Sequence, residues 1–224
     1  SSVGGESADP VAKTHTVRPA FHLNLAKVYN NSTAQAPEIA GEKIKYHNGS
    51  ELSFVLTGVD SGKVDISYVT QGLDGAVPTA TYDLEKGKYT LKASDVGKYT
   101  VTITPKNQEC WMDGTTASKE FVFYIKYKVN ELSINGMRDR VYNGELQAFE
   151  LADYDSTKMD IKWQSVDGLE FDTSGADPAF KVKTVKEYDV DIELINKELM
   201  EWNTGGSETK TVKIEITKRP LIIS

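Results

Sequence analysis

Cysteine is almost missing from this chain. Cys110 stands alone among 224 residues. One thiol cannot close an internal disulfide, and it cannot build a multi-cysteine metal cage. A Lys–Asn isopeptide cross-link would be the other covalent staple, and it needs a buried Lys, an Asn and an acid together. Long hydrophobic runs are missing too: none approaches the roughly 20 residues of a membrane-spanning helix, so no membrane insertion is expected. An excess of basic charge is also lacking. Lys plus Arg number 26 against 33 Asp plus Glu, a net charge of −7. Residues 34–127 hold 12 acids and 10 bases, and residues 128–218 hold 19 acids and 12 bases. Neither stretch offers a basic face for phosphate backbones, which excludes nucleic acid as a partner. The start, SSVGGESADP, has neither the basic nor the apolar region of a secretory leader. It reads as a mature end, which leaves secretion open.

Catalytic signatures are missing as well. There is no G-x-S-x-G, no phosphate-binding loop and no H-E-x-x-H. Three histidines, His15, His22 and His47, are scattered among the early segments. No signature around Cys110 pairs it with a base. The reading is a non-enzymatic chain with no cofactor and no metal. For calcium the best candidate is DYDSTKMD (153–160), three Asp near a turn; a solvated turn is the preferred reading. No stretch of twelve residues carries a helical stripe, although INKELMEWN (195–203) has room for a helical turn within a loop.

What the chain does have is a repeat. YHNGSELSFVLTGVDSGKVDISY (46–68) and VYNGELQAFELADYDSTKMDIKW (141–163) align without a gap at an offset of 95 residues. Asn48-Gly49 meets Asn143-Gly144, Phe54 meets Phe149, Asp60 meets Asp155, and Tyr68 meets Trp163. Further on, GKYTVTI (97–103) meets KEYDVDI (186–192) with Tyr99 on Tyr188. Trp111 falls on Trp202, and FVFYI (121–125) on VKIEI (212–216). Solenoid repeats are shorter, so the period means tandem domains.

Inside each unit the apolar period is two. Tyr99, Val101 and Ile103 alternate with threonines; Val64, Ile66 and Tyr68 alternate with Lys63, Asp65 and Ser67. Such alternation marks half-buried strands, and the turns between them carry Gly, Asp, Ser and Pro. Seven short strands per unit predict an all-β fold: two tandem immunoglobulin-like antiparallel β-sandwiches in an elongated arrangement, with no disulfide. DVGKY (95–99) matches the turn that opens the sixth strand of such domains, where a Tyr hydroxyl bonds back to the backbone. Tyr99 takes that role. Tyr188 keeps it in the second copy, although TVKEY has lost the Asp and the Gly. Tyr68 and Trp163 stand where these domains bury a Trp. All four are expected as structural anchors. Trp111 and Trp202, between the last two strands of each copy, are either plugs over a sandwich end or ligand contacts.

Residues 34–127 form the first sandwich and 128–218 the second. EFVFYIKYKVNELSI (120–134) joins them with no Gly and no Pro, so a stiff joint is expected. Residues 219–224 read as the start of a further, truncated unit. Residues 1–33 form a tail, in which VRPAFHLNLAKV (17–28) alternates like a strand. It pairs with an edge of the first copy, or with another molecule, or is the remnant of a preceding domain.

The openings Y-x-N-G and Y-N-G, the W-x-D-G-T loop and the I-T-K-R-P-L exit together resemble bacterial immunoglobulin-like repeats of the MBG type. These stand in tandem on large surface proteins of Gram-positive anaerobes. The resemblance covers 34–224, and VRPAFHLNL is similar to the closing strand of an uncharacterised extracellular domain that precedes such repeats. MEWNTGGSET departs from it by lacking the Asp-Gly-Thr. The resemblance implies an extracellular or wall-attached stalk or adhesion module without catalytic residues. It acts as a stiff spacer or presents a distal domain, as a monomer, toward an extracellular protein or glycan. The alternative is a carbohydrate- or protein-binding module using the loop aromatics, accessory to an extracellular glycoside hydrolase.

Overall fold

The computed structural model describes residues 33–106, 109–175 and 177–221. The stretch 17–28 and the last three residues of the 219–224 segment lie outside the described residues. Strands dominate. The first repeat holds β1 (Thr33–Ala34), β2 (Glu38–Ala40), β3 (Ile44–Tyr46), β4 (Leu52–Val59) and β5 (Val64–Gly72). It continues through β6 (Ala80–Glu85), β7 (Gly87–Ala93), β8 (Gly97–Pro105), β9 (Cys110–Trp111) and β10 (Lys119–Val129). The second holds β11 (Ser133–Ile134), β12 (Asp139–Val141), β13 (Gln147–Ala152), β14 (Met159–Ile161) and β15 (Leu169–Asp172). After these come β16 (Ala179–Val182), β17 (Glu187–Leu194), β18 (Met200–Trp202) and β19 (Lys210–Thr217).

Pairing gives each repeat two facing sheets. In the first, β2-β4-β7-β6 run antiparallel, opposite a sheet in which β8 lies between β5 and β10. β3 adds to β10 in parallel. The second repeats this order: β11-β13-β16-β15 face β12-β19-β17-β14, with β12 parallel to β19. This is the immunoglobulin-like strand order. The fold is therefore all-β, two such sandwiches in tandem, and no disulfide holds them because Cys110 is free.

The period-two pattern explains the layers. Along β8 Tyr99, Val101 and Ile103 are fully buried while the threonines between them are not. Along β17 Tyr188, Val190, Ile192 and Leu194 do the same. Two apolar clusters result. Phe54, Leu91, Tyr99 and Phe123 belong to the first, and Phe149, Phe180, Tyr188 and Trp202 to the second. Among the described residues the one buried polar side chain is Gln147, and it donates to the Val141 carbonyl (3.1 Å). No described lysine is buried.

β10 belongs to both sandwiches. Its first part pairs with β8 and β3, and Tyr127–Val129 pair in parallel with Met200–Trp202 of β18. Within 195–203 the Met200 amide donates to the Asn196 carbonyl (2.9 Å), closing a single helical turn in the loop, and Asn196 Oδ1 accepts the Glu198 and Leu199 amides. That turn sets Leu199, only 2% exposed, into the first core although it belongs to the second repeat. Lys218–Leu221 carry no strand, and Leu221 is exposed.

Candidate functional site

The tryptophan turns come first. β9 brings Trp111 under the first sandwich, where it is fully buried. Its Nε1 donates to the Ala117 carbonyl (2.7 Å), its amide to the Thr115 carbonyl (2.8 Å), and its own carbonyl accepts the Gly114 amide (2.8 Å). β18 does the same for Trp202: Nε1 to the Glu208 carbonyl (2.6 Å), amide to Gly206 (2.8 Å), carbonyl from Gly205 (2.9 Å). Every partner is displaced by 91 residues. The geometry survives although the second copy lacks the Asp-Gly-Thr, because Gly205 and Gly206 both take positive φ there. Neither the Trp111 nor the Trp202 indole reaches solvent. A buried indole N–H needs a partner, and each turn supplies a carbonyl.

The tyrosine corners repeat equally well. The Tyr99 hydroxyl donates to the Asp95 carbonyl (2.5 Å) and Tyr188 to the Thr184 carbonyl (3.2 Å), both four residues upstream. Burial first, and the nearby Asp95 charge second, push the Tyr99 phenol up to about 12. The two Asn-Gly turns match in the same way. Asn48 Oδ1 accepts the Ser50 amide and Asn143 Oδ1 the Glu145 amide, each at 2.9 Å, with Gly49 and Gly144 at positive φ.

DYDSTKMD also resolves into a repeated turn. Asp155 accepts hydrogen bonds from the Thr157 amide and hydroxyl and pairs with Lys158. Those bonds, led by Lys158, hold its carboxyl down to about 2. In the first copy Asp60 likewise accepts the Gly62 amide (3.0 Å). The carboxylate is engaged in holding a turn, and the described residues contain no group of three or more His, Cys, Asp or Glu arranged for a metal. His47 is engaged too: Nδ1 lies 2.9 Å from the Ser94 carbonyl, and the ring meets Tyr127 edge-on. His15 and His22 lie outside the described residues.

Two anchors sit differently from the expectation. Tyr68 is not a central core residue: it is 36% exposed. It does lie on the core face, opposite Val101, but on β5, the last strand of its sheet. The facing sheet ends at β6, whose core-side residues Tyr82 and Leu84 are also exposed. Tyr68 therefore bridges the rim: its hydroxyl donates to the Ala80 carbonyl (3.0 Å) and its ring meets Tyr82 edge-on at 6.0 Å. Tyr82 stacks on Tyr89, whose fully buried hydroxyl has no hydrogen-bond partner among the described residues. Trp163 is not on a strand. β14 ends at Ile161, and Trp163–Ser165 form a 3-10 turn that lays a half-buried indole against Phe171. The second copy thus closes the flank that the first leaves half open.

Sequence reasoning missed the junction. Glu198 accepts from Lys98 (2.9 Å) and Tyr124 (3.2 Å); Glu201 pairs with Lys128 (3.0 Å) and accepts from Tyr46 (3.0 Å). Hydrogen bonding from Lys98 holds the Glu198 carboxyl below its ordinary value. Burial pushes Glu201 up, but Lys128 and Tyr46 together outweigh it and leave that carboxyl low as well.

No family model matches this chain, and no curated protein sequence matches it. Among solved structures it is similar to a chimeric titin tandem, at 10% identity, covering 83% of this chain and 100% of that one, with a TM-score of 0.34. It is also similar to a tandem of titin immunoglobulin domains, at 12% identity, 83% and 97% coverage and a TM-score of 0.32. The adhesin InvE of Yersinia pseudotuberculosis is similar at 12% identity, 80% and 59% coverage and a TM-score of 0.35.

Proposed function

We propose that this chain is a non-catalytic structural or adhesion-type module of a bacterial cell-surface or secreted protein, acting as a stiff spacer that presents a distal domain. The modules are residues 34–127 and 128–218, arranged as an elongated pair. One observation carries the reading. A single eleven-residue strand, Lys119–Val129, is hydrogen-bonded into both sandwiches, and Leu199 reaches from the second into the first core. A flexible linker would leave the modules free to reorient; a shared strand fixes their backbone directions and ties the joint to two cores. Partners would be extracellular proteins or glycans met by whatever the spacer presents. The rival reading, aromatic loops gripping a glycan, has only fully buried indoles in those loops.

Residual dipolar couplings test the spacer. The two sandwiches are expected to share one alignment tensor, and a Gly-Ser insertion between Tyr127 and Lys128 should split it in two. Independent tensors in the unmodified chain would sink the reading.

A further inference from the structure

We propose that Asn48 and Asn143 are self-modification sites, where the folded turn promotes loss of the side-chain ammonia and leaves aspartate or isoaspartate behind. The inference goes beyond the spacer reading and does not rest on it: it concerns the chain's own covalent chemistry.

The reaction makes three demands. The backbone nitrogen of the next residue must be free to attack the side-chain carbonyl carbon. That next residue must be small. The carbonyl oxygen must be stabilised as it takes up negative charge. Both turns meet all three. Asn48 and Asn143 are exposed. The Gly49 and Gly144 amides donate no hydrogen bond among the described residues, and nothing lies within 4 Å of where a Cβ would stand on either glycine. Asn48 Oδ1 accepts the Ser50 amide and Asn143 Oδ1 the Glu145 amide, each at 2.9 Å. That N–H draws electron density from Cγ and is already aimed at the oxygen on which the charge develops. The same bond folds the side chain back along its own backbone, with the glycine nitrogen inside the ring that it closes.

The step balances without a co-reactant other than water. The Gly49 nitrogen gives up its proton to solvent and bonds to Asn48 Cγ. The Cγ–Nδ2 bond breaks, Nδ2 takes a proton from solvent, and ammonia leaves a cyclic imide. Water then opens the imide at either carbonyl. One water enters and one ammonia departs. Isoaspartate at position 48 would lengthen the main chain of the β3–β4 turn beside His47, whose ring rests on Tyr127 of the joint.

Two other asparagines separate the contributions. Asn135 also precedes a glycine, Gly136, at φ 92°. No described group donates to its Oδ1, its Nδ2 is directed at Glu150 (3.5 Å), and its own amide is held by the Glu150 carbonyl (2.9 Å). Asn196 is the converse: Oδ1 accepts the Glu198 and Leu199 amides, but Lys197 follows, and its side chain crowds the attacking nitrogen.

Incubation of the full chain at neutral pH, with mass spectrometry of each site, tests the proposal; the four asparagines fall on separate tryptic peptides. Asn48 and Asn143 are expected to convert about three- to tenfold faster than Asn135, the worth of one ordinary hydrogen bond in a rate. Asn196 should stay intact. In urea the turns are lost, and the lead over Asn135 should vanish. Ser50→Pro removes one donating amide. It should slow Asn48 toward the rate of Asn135 while Asn143 in the same molecules keeps its pace, with circular dichroism confirming the fold. Glu145→Pro should do the reverse. Equal rates at the three Asn-Gly sites of the folded chain would overturn the inference. So would a lead that persists in urea, or rates at Asn48 and Asn143 indifferent to the two proline variants. None of these outcomes touches the spacer reading, which the alignment tensors decide.

Discussion

Gly97 and Gly72 face each other across β8 and β5, and the Pro78 ring lies against both. A methyl added at Gly97 would meet Pro78 Cγ at 2.7 Å, and one at Gly72 would meet it at 2.9 Å. The glycine of DVGKY is therefore a packing requirement. The second copy has Lys186 at that place, exposed, and Tyr188 still makes its corner. Gly97→Ala is expected to cost about 1–3 kcal/mol in urea unfolding, and Lys186→Ala to stay within about 0.5 kcal/mol. Tyr99 gives a pH prediction. Its folded value is raised from 10.0 to about 12, so its contribution is complete below pH 10 and is lost as pH rises through 12. Tyr99→Phe should lose about 1 kcal/mol at neutral pH with the bond to Asp95. It should then flatten the alkaline fall in the unfolding midpoint. At this scale the sequence was informative wherever a residue answers to its own local backbone. The tyrosine corner, the Asn-Gly turns and the paired tryptophans are of that kind. Tyr68 was not, because its exposure depends on where the opposite sheet stops.

Among the elements, strand alternation predicted β8 and β17 closely, since both lie between two neighbours with one face on a core. β14 was misjudged. MDIKW alternates as VDISY does, yet Lys162 leaves the extended region (φ −84°, ψ 46°) and its amide donates to the Asp191 carbonyl. The chain then turns to place Trp163 over Phe171. Period alone carries no information about that departure. β10 was read as a stiff joint, but its pairing with β18 was invisible, because partners 73 residues apart leave no local trace. The Leu199 turn depends on that pairing: the Tyr127 amide donates to the Leu199 carbonyl (3.0 Å). Leu199→Ala should cost about 2–5 kcal/mol. The loss should appear in the first sandwich, as faster amide exchange along β8 and the start of β10, although the substitution lies in the second repeat. Loss confined to β17 and β19 would contradict that placement.

For the whole molecule the junction is the acid-sensitive part. The carboxyls of Glu198 and Glu201 both sit below their ordinary value of 4.5. Their contribution is complete above pH 4.5 and is lost as pH falls through the lowered folded values. Acidification is therefore expected to loosen the coupling between the sandwiches before either core opens. Alignment tensors should diverge while near-ultraviolet circular dichroism of the buried tryptophans stays unchanged. Glu198→Gln with Glu201→Gln should bring the divergence to neutral pH.

The parallel partners of β10 and β19 have a mechanical consequence. β3 with β10, β18 with β10, and β12 with β19 each run side by side in one direction. When the chain is drawn from Thr33 and Thr217, the two members of each terminal pair are dragged lengthwise past each other. Their hydrogen bonds then yield together in shear, where a hairpin would unzip one bond at a time. Optical-trap extension should show tall, brittle rupture peaks, and Tyr124→Pro, which removes the amide that donates to the Lys43 carbonyl (2.8 Å) in the β3–β10 pair, should lower the first of them.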